Sequence, residues 1–254
     1  MSLERILLCP DLHAPYHDPK AFSLMLKVAR YWQPRGLVQI GDLGDNYQVS
    51  AYGKGADRVS LDEEIKGTRK ARAKLDAIDS LRWKEITLGN HCDRWEKWLQ
   101  DPKHAAEAEQ YLGISRDTTI DGLWQLSKNG WRVTPYRDHT KIGKVFFTHD
   151  VGSGGKFATN TAGEVFGHSV CIGHHHAMQM FVLGNATGER WGAFQFGWLG
   201  DINRATYEHR IKKMKQWTLG FGIGVHDTKT GFITWQPVPI LDYTAQVGGK
   251  VYRA

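Results

Sequence analysis

The sequence predicts an α/β protein built on parallel strands, and three observations predict it. Short apolar runs at 5–9 (RILLC), 37–40 and 84–88 have the composition of buried strands. Each run ends at a chain-bending residue, Pro10, Gly41 or Gly89. Longer segments with apolar residues at helical spacing lie between them. A strand–helix–strand–helix–strand order needs crossovers, which make neighbouring strands parallel.

Each element has its own signal. The first helix is expected over 19–32, with Asp18 as N-cap, Pro19 at the first helical position and Phe22, Leu26 and Ala29 on one face. The second, 61–81, is rich in Lys, Arg, Ala and Glu and reads as amphipathic. Residues 93–130 read as mainly helical and include Trp95, Trp98 and Trp124. Further on, 144–148 (KVFFT) and 170–172 read as strands around a helix at 157–166. Strand-like pieces follow at 178–183, 191–198, 217–225 and 232–235, with a basic helix-like stretch at 204–215. There is no internal repeat or low-complexity tract. One domain over 1–254 is the economical reading, with 93–140 as an inserted helical cap.

Composition limits the setting. A chain of 254 residues, 41% hydrophobic and 24% charged, can bury a core without disulfide staples, which argues against a disordered chain or a disulfide scaffold. No apolar run approaches the roughly 20 residues that span a bilayer, so no membrane partner is expected. Cys9, Cys92 and Cys171 are scattered and form no CxxC pair, which disfavours a zinc ribbon or thioredoxin-type site. Together with the lack of a signal-peptide pattern, they fit a cytoplasmic protein. The net charge of +6 fits an anionic partner such as phosphate or nucleic acid.

The chemistry sits at the strand ends, where open α/β sheets collect functional groups. Asp11-Leu12-His13 follows the first strand and Gly41-Asp42-Leu43-Gly44-Asp45 the second. Gly89-Asn90-His91 follows the third, His149 follows KVFFT, and Gly173-His174-His175-His176 follows 170–172. Each piece alone is an ordinary turn. Jointly they supply oxygen and imidazole donors without thiolates, a set suited to two divalent cations. In extended segments alternate side chains share a face, so Asp11 pairs with His13, and His174 with His176.

In this order the blocks resemble those of the calcineurin-like metallophosphoesterases: DxH, GDxxD, GNH, a separate His, then GHxH. They span 11–176, about two thirds of the chain. The resemblance implies a four-layer α/β/β/α sandwich of two mixed sheets flanked by helices, with a dinuclear centre of Mn2+, or of Fe, Zn or Ni. Asp11, His13 and His176 would bind the first metal and Asn90, His149 and His174 the second, with Asp42 bridging both. His91 would be the general acid, oriented by Asp45. Two departures stand out. Cys92 occupies the place of the usual acid after GNH, and Asn46 follows Asp45 where protein Ser/Thr phosphatases carry Arg. The second argues against a phosphoprotein substrate.

The expected reaction is therefore hydrolysis of a phosphoester by a metal-activated hydroxide, with a proton from His91 to the leaving oxygen. Arg94, close to His91 in sequence, is a candidate phosphate contact. Basic stretches at 66–74 and 204–215, with ten Trp and nine Tyr, lean the substrate toward nucleic acid phosphodiesters or phosphorylated ends. A nucleotide or small-metabolite monoester is the alternative. Tyr47, Trp95, His104 and Lys156 are candidate lining residues. A non-catalytic scaffold of the same fold should show eroded ligands, and none is eroded here.

Overall fold

A computed structural model describes residues 2–51, 59–114, 117–204 and 217–254. The chain begins with β1 (Leu3–Cys9), α1 (Pro19–Trp32), β2 (Gly36–Gln39), α2 (Leu61–Asp76) and β3 (Trp83–Thr87). Next come α3 (Asn90–Gln100), α4 (Ala105–Ile114), α5 (Ile120–Trp124), β4 (Trp131–Thr134), β5 (Thr140–Ile142), β6 (Val145–Phe147), α6 (Ala158–Phe166) and β7 (Ser169–Ile172). The chain closes with β8 (Met178–Gly184), β9 (Arg190–Phe196), β10 (Gly220–Asp227), β11 (Ile233–Pro239), β12 (Thr244–Val247) and β13 (Lys250–Arg253).

Two mixed sheets form. The first runs β11-β10-β1-β2-β3-β4, with β1 to β4 mutually parallel and β10 antiparallel to both β1 and β11. The second runs β5-β6-β7-β9-β8, with β6, β7 and β9 parallel. The period-2 alternation of strands decides how they stack. On β1, Leu7 and Cys9 face the helices while Ile6 and Leu8 face the second sheet, where they meet Val145, Phe147, Cys171 and Phe196. The outer face of the second sheet, with Val170, Ile172 and Ala193, packs on Ala162 of α6. Three separate apolar layers between four structural layers make the α/β/β/α sandwich.

Local chemistry fixes the elements. Asp18 caps α1 by accepting from Lys20 N and Ala21 N, both at 2.9 Å, and Pro19 opens the helix. Ser60 and Glu63 close a capping box on α2. That helix stops at Asp76 rather than 81, and Ile78 and Leu81 continue in turns instead.

The segment 93–140, expected as an inserted cap, packs into the sandwich itself. Its helices turn Trp95, Trp98, Leu123 and Trp124 into the same core as α1 and α2, and its last part supplies β4, the edge strand beside β3. It is a crossover between parallel neighbours, because those tryptophans can only be buried against the sheet. Tyr47 and Trp95, expected near the site as lining residues, belong to the buried interior. Most of the basic stretch at 204–215 lies outside the described residues.

Candidate metal centre

All the expected ligands converge at the carboxyl ends of β1, β2, β3, β6 and β7. Backbone bonds stitch the loops together. The Asp42 carbonyl accepts from Leu12 N at 3.0 Å and His13 N at 2.8 Å, and Gly173 N donates to the His149 carbonyl at 2.9 Å. Asp11, His13 and His176 form one cluster of donor atoms and Asp42, His149 and His174 another. A third comprises His13, Asp45 and His91.

In the first cluster His13 Nε2 and His176 Nε2 stand 3.1 Å apart, and His176 Nε2 is 3.2 Å from Asp11 Oδ2. In the second, Asn90 Oδ1 lies 3.0 Å from His149 Nε2 and 2.9 Å from His174 Nδ1. Asp42 Oδ2 is 3.2 Å from His149 Nε2. The Ile40 carbonyl, 2.9 Å from His149 Nδ1, can only accept. It therefore fixes the proton on Nδ1 and leaves Nε2 as the ligating atom.

Close approach sets the local sequence. A Cβ on Gly89 would lie 2.1 Å from Asp42 Oδ1, and one on Gly173 would lie 2.5 Å from Asp11 Oδ1. Four expected ligands, His13, Asp42, His174 and His176, hold left-handed backbone with φ of 54°, 48°, 71° and 57°. Non-glycine residues avoid that region, and its occupation by four members of one site marks strain held for function.

The electrostatics point to a cation. Asp11 and Asp42 are wholly buried and Asp45 nearly so. Burial alone would raise their carboxyls, yet the facing imidazoles hold all three below the usual range, Asp42 and Asp45 well below. Burial likewise opposes charge on His149, but Asp42 and Asp11 outweigh it and raise that imidazole to about 10. For His176 burial wins and pushes it down to about 4. Asp11 Oδ1, Asp42 Oδ2 and His176 Nδ1 are buried with no hydrogen-bond partner among the described residues. Orphaned carboxylate oxygens amid imidazoles, without a thiolate, fit hard or borderline divalent cations.

His91 and Asp45 pair as expected, with Nδ1 2.6 Å from Oδ1. Arg94 is placed differently from a free phosphate contact. Its Nη1 donates to Asp45 Oδ1 at 3.1 Å, and its Nη2 points at His91 Nε2 at 2.8 Å. A guanidinium only donates, so His91 carries its proton on Nδ1 and a lone pair on Nε2. Burial lowers the His91 pKa; Asp42 and Asp45 oppose this and Arg94 adds to it. Cys92 sits in the core beneath, where burial pushes its thiol well above the ordinary value and makes it inert.

Several supporting residues fall outside the motif blocks. Gln39 and Gln195 are fully buried: Gln39 Nε2 donates to the Gly41 carbonyl and Gln195 Nε2 to the Gly173 carbonyl, both at 2.6 Å. Their signal is a glutamine at the end of an apolar strand. Asn46 Nδ2 donates to the His91 carbonyl at 2.9 Å. Trp198 stacks on His176, with centroids 4.6 Å apart and planes 13° apart, and Trp217 packs against both.

The fold and site together make a layered α/β sandwich whose strand ends hold a histidine–aspartate centre able to bind metal, the architecture implied by the resemblance to calcineurin-like metallophosphoesterases. No protein-family model matches the chain, and no curated protein matches it. Among solved structures it is similar to Vacuolar Protein Sorting 29 from Cryptosporidium parvum, at 13% identity and a TM-score of 0.47, covering 99% of this chain and 95% of that one. It is also similar to YfcE, a phosphoesterase from E. coli, at 12% identity and a TM-score of 0.42, over 91% and 98%. A Vps29 complexed with zinc from Entamoeba histolytica gives 13% identity and a TM-score of 0.42, over 97% and 95%. At these identities and TM-scores the likeness carries no argument, and the reading rests on the chain's own fold and site geometry.

Proposed function

We propose that this protein is a dinuclear metal-dependent phosphoesterase acting on nucleic acid phosphodiesters or phosphorylated ends. The observation that carries the reading is the meeting of seven expected ligands, four of them in left-handed backbone, around orphaned buried carboxylate oxygens. Asp11, His13 and His176 would hold one cation and Asn90, His149 and His174 the other, with Asp42 between them. Bound there, two divalent cations, with Mn2+ the first choice, would polarise phosphate oxygens and lower the pKa of water.

The chain's own groups supply the rest. His91 lies 3.8 Å from Asp42 Oδ2 at the edge of the centre, and Asp45 fixes its ring. To protonate a leaving oxygen, His91 must carry a proton on Nε2. That atom now faces the guanidinium of Arg94. Arg94 therefore swings away as substrate arrives, and a phosphate oxygen is the natural new partner for its fork. The buried Trp198 and the half-buried Trp217 wall the first cluster.

Three cations of α2 already have protein partners. Arg72 is paired with Asp76, Arg69 donates to the Leu123 carbonyl, and Lys66 pairs with Asp62.

The test compares Mn-dependent hydrolysis of bis-p-nitrophenyl phosphate and p-nitrophenyl phosphate, with a chelator control and an Asp42→Asn variant. Faster diester cleavage, lost with chelator and in the variant, is expected. Faster monoester cleavage would move the assignment to a phosphatase, and bound metal with no hydrolysis of either would overturn the enzyme reading.

A further inference from the structure

Away from the metal centre, a cleft of about 530 Å³ opens between the last turns of α1 and the β12–β13 hairpin. Lys27, Arg30, Tyr31, Lys250, Tyr252 and Arg253 line it, four cations and two phenol rings with no carboxylate among the lining residues. We propose that this cleft is a second binding site, for single-stranded nucleic acid, in which the four cations take phosphates and Tyr31 stacks a base.

The sequence builds the cleft simply. Residues 27, 30 and 31 share one face of α1 by i, i+3 and i+4 spacing. Gly248 and Gly249, with φ of 57° and 75°, turn the hairpin, so that Lys250 and Tyr252 share the strand face packed toward the helix. Lys27 Nζ donates to the Arg253 carbonyl at 2.8 Å and ties the two walls together. Tyr31 is 46% exposed, with its ring 5.5 Å from that of Tyr252. Lys250 Nζ lies over the Tyr31 ring, 5.2 Å from its centroid, so cation and phenol meet in the cleft.

The charges are not neutralised within the cleft. Arg30, in the last turn of α1, favours the helix dipole, Lys27 ties the walls and Lys250 lies over the phenol rings, yet none of the four meets a carboxylate among the lining residues. A ligand offering anions and planar rings at short spacing matches this lining, and single-stranded nucleic acid offers both.

The cleft is separate from the metal centre. Asp18 N bonds the Leu199 carbonyl and Leu199 N the Asp11 carbonyl, so α1 starts beside the ligands. Tyr31 lies 13 residues further along, about 20 Å at the helical rise. At the stacked spacing of about 3.4 Å per nucleotide, a strand of about six nucleotides would join the two sites. The choice of nucleic acid as ligand agrees with the phosphoesterase reading and deepens it, but binding at the cleft can be measured without hydrolysis.

The experiment is fluorescence anisotropy of a labelled dT12 oligonucleotide against full-length Asp42→Asn protein, titrated from 50 to 200 mM salt. Arg30→Ala/Lys250→Ala, two exposed substitutions, should lower the salt slope by about 1.4, at about 0.7 per lost contact. Tyr31→Leu should weaken binding about 5- to 150-fold at unchanged slope. In protein with an intact Asp42, neither change should alter hydrolysis of p-nitrophenyl esters. Parent-like affinity and slope in these variants would overturn the site. Binding that responds to the charge variant but not to Tyr31→Leu would overturn base recognition. Capture of phosphatidylserine vesicles without oligonucleotide binding would overturn the choice of ligand. If oligonucleotide binding behaves as expected while no phosphoester is hydrolysed, the cleft stands and the enzyme reading falls.

Discussion

Gly89→Ala isolates the claim that close backbone approach builds the metal centre. Gly89 has φ −103° and ψ 179°, extended backbone open to any residue, so the substitution carries no conformational penalty of its own. Its whole effect comes from the new methyl, which would lie 2.1 Å from Asp42 Oδ1 and 2.7 Å from Asp42 N. Ordinary contact is about 3.5 Å, so the carboxylate has to retreat by more than about 1 Å. It cannot do so freely, because Asp42 Oδ1 accepts from His91 N at 3.0 Å and its own carbonyl holds Leu12 and His13. Overpacking of this kind costs about 1–3 kcal/mol. At about 2–4 °C per kcal/mol for a chain of this size, melting should fall by about 2–12 °C. Displacing a positioned group by about 1 Å costs about 100-fold in rate. The assay is metal content by mass spectrometry, melting temperature and diester hydrolysis, run beside Gly154→Ala, where a Cβ meets nothing within 4 Å. Full metal occupancy and full activity in Gly89→Ala would refute the argument. Equal losses in both variants would refute it too.

Three further outcomes follow from the same geometry. Chelation should lower the melting temperature by about 5–11 °C relative to protein held at 100 times the metal Kd, which corresponds to about 2.7 kcal/mol; an unchanged transition would mean that the centre binds no metal. His91→Asn should keep its metal and lose about 10²–10⁴-fold with poor leaving groups while sparing p-nitrophenyl esters, whereas loss of metal would make His91 a ligand. Burial, helped by the Asp45 charge, raises Glu64 from 4.5 to about 7. Its contribution is thus fully present below pH 4.5 and lost as pH rises through 7, on the order of 3 kcal/mol. Glu64→Gln should flatten the decline in stability between pH 5 and 8, and parallel profiles for the two proteins would count against this account.

What could be read from the sequence, and what could not, divides along physical lines. The bounds of α1 were legible because Asp18 and Pro19 are local signals that act within one turn. The convergence of the candidate ligands was legible because strand ends and residue type together narrow the choice. β4 and β13 were not, since WRVT and KVYR bury only some of their residues and look like loop in isolation. The path of Arg94 was hidden for another reason. Its partner His91 lies one turn back on the same helix, but Asp45 arrives through the loop after β2, and only their packing shows that the guanidinium turns inward. The same holds for the cleft beside α1, whose walls lie more than 200 residues apart in the chain.

The charges of the centre bear on its backbone. Three buried carboxylates crowd within reach of five imidazoles. Their desolvation is a cost that the facing imidazoles offset. Left-handed φ at His13, Asp42, His174 and His176 adds a further cost at the same place. Both are sustained by the parallel strands beneath, whose cores on either face hold the loop ends in register. A strained, carboxylate-rich site on a scaffold so well packed suits a divalent cation. Replacing Asp11 and Asp42 together with Asn should therefore abolish the rise in melting temperature on adding metal, and a rise kept by that variant would refute the assignment of these ligands.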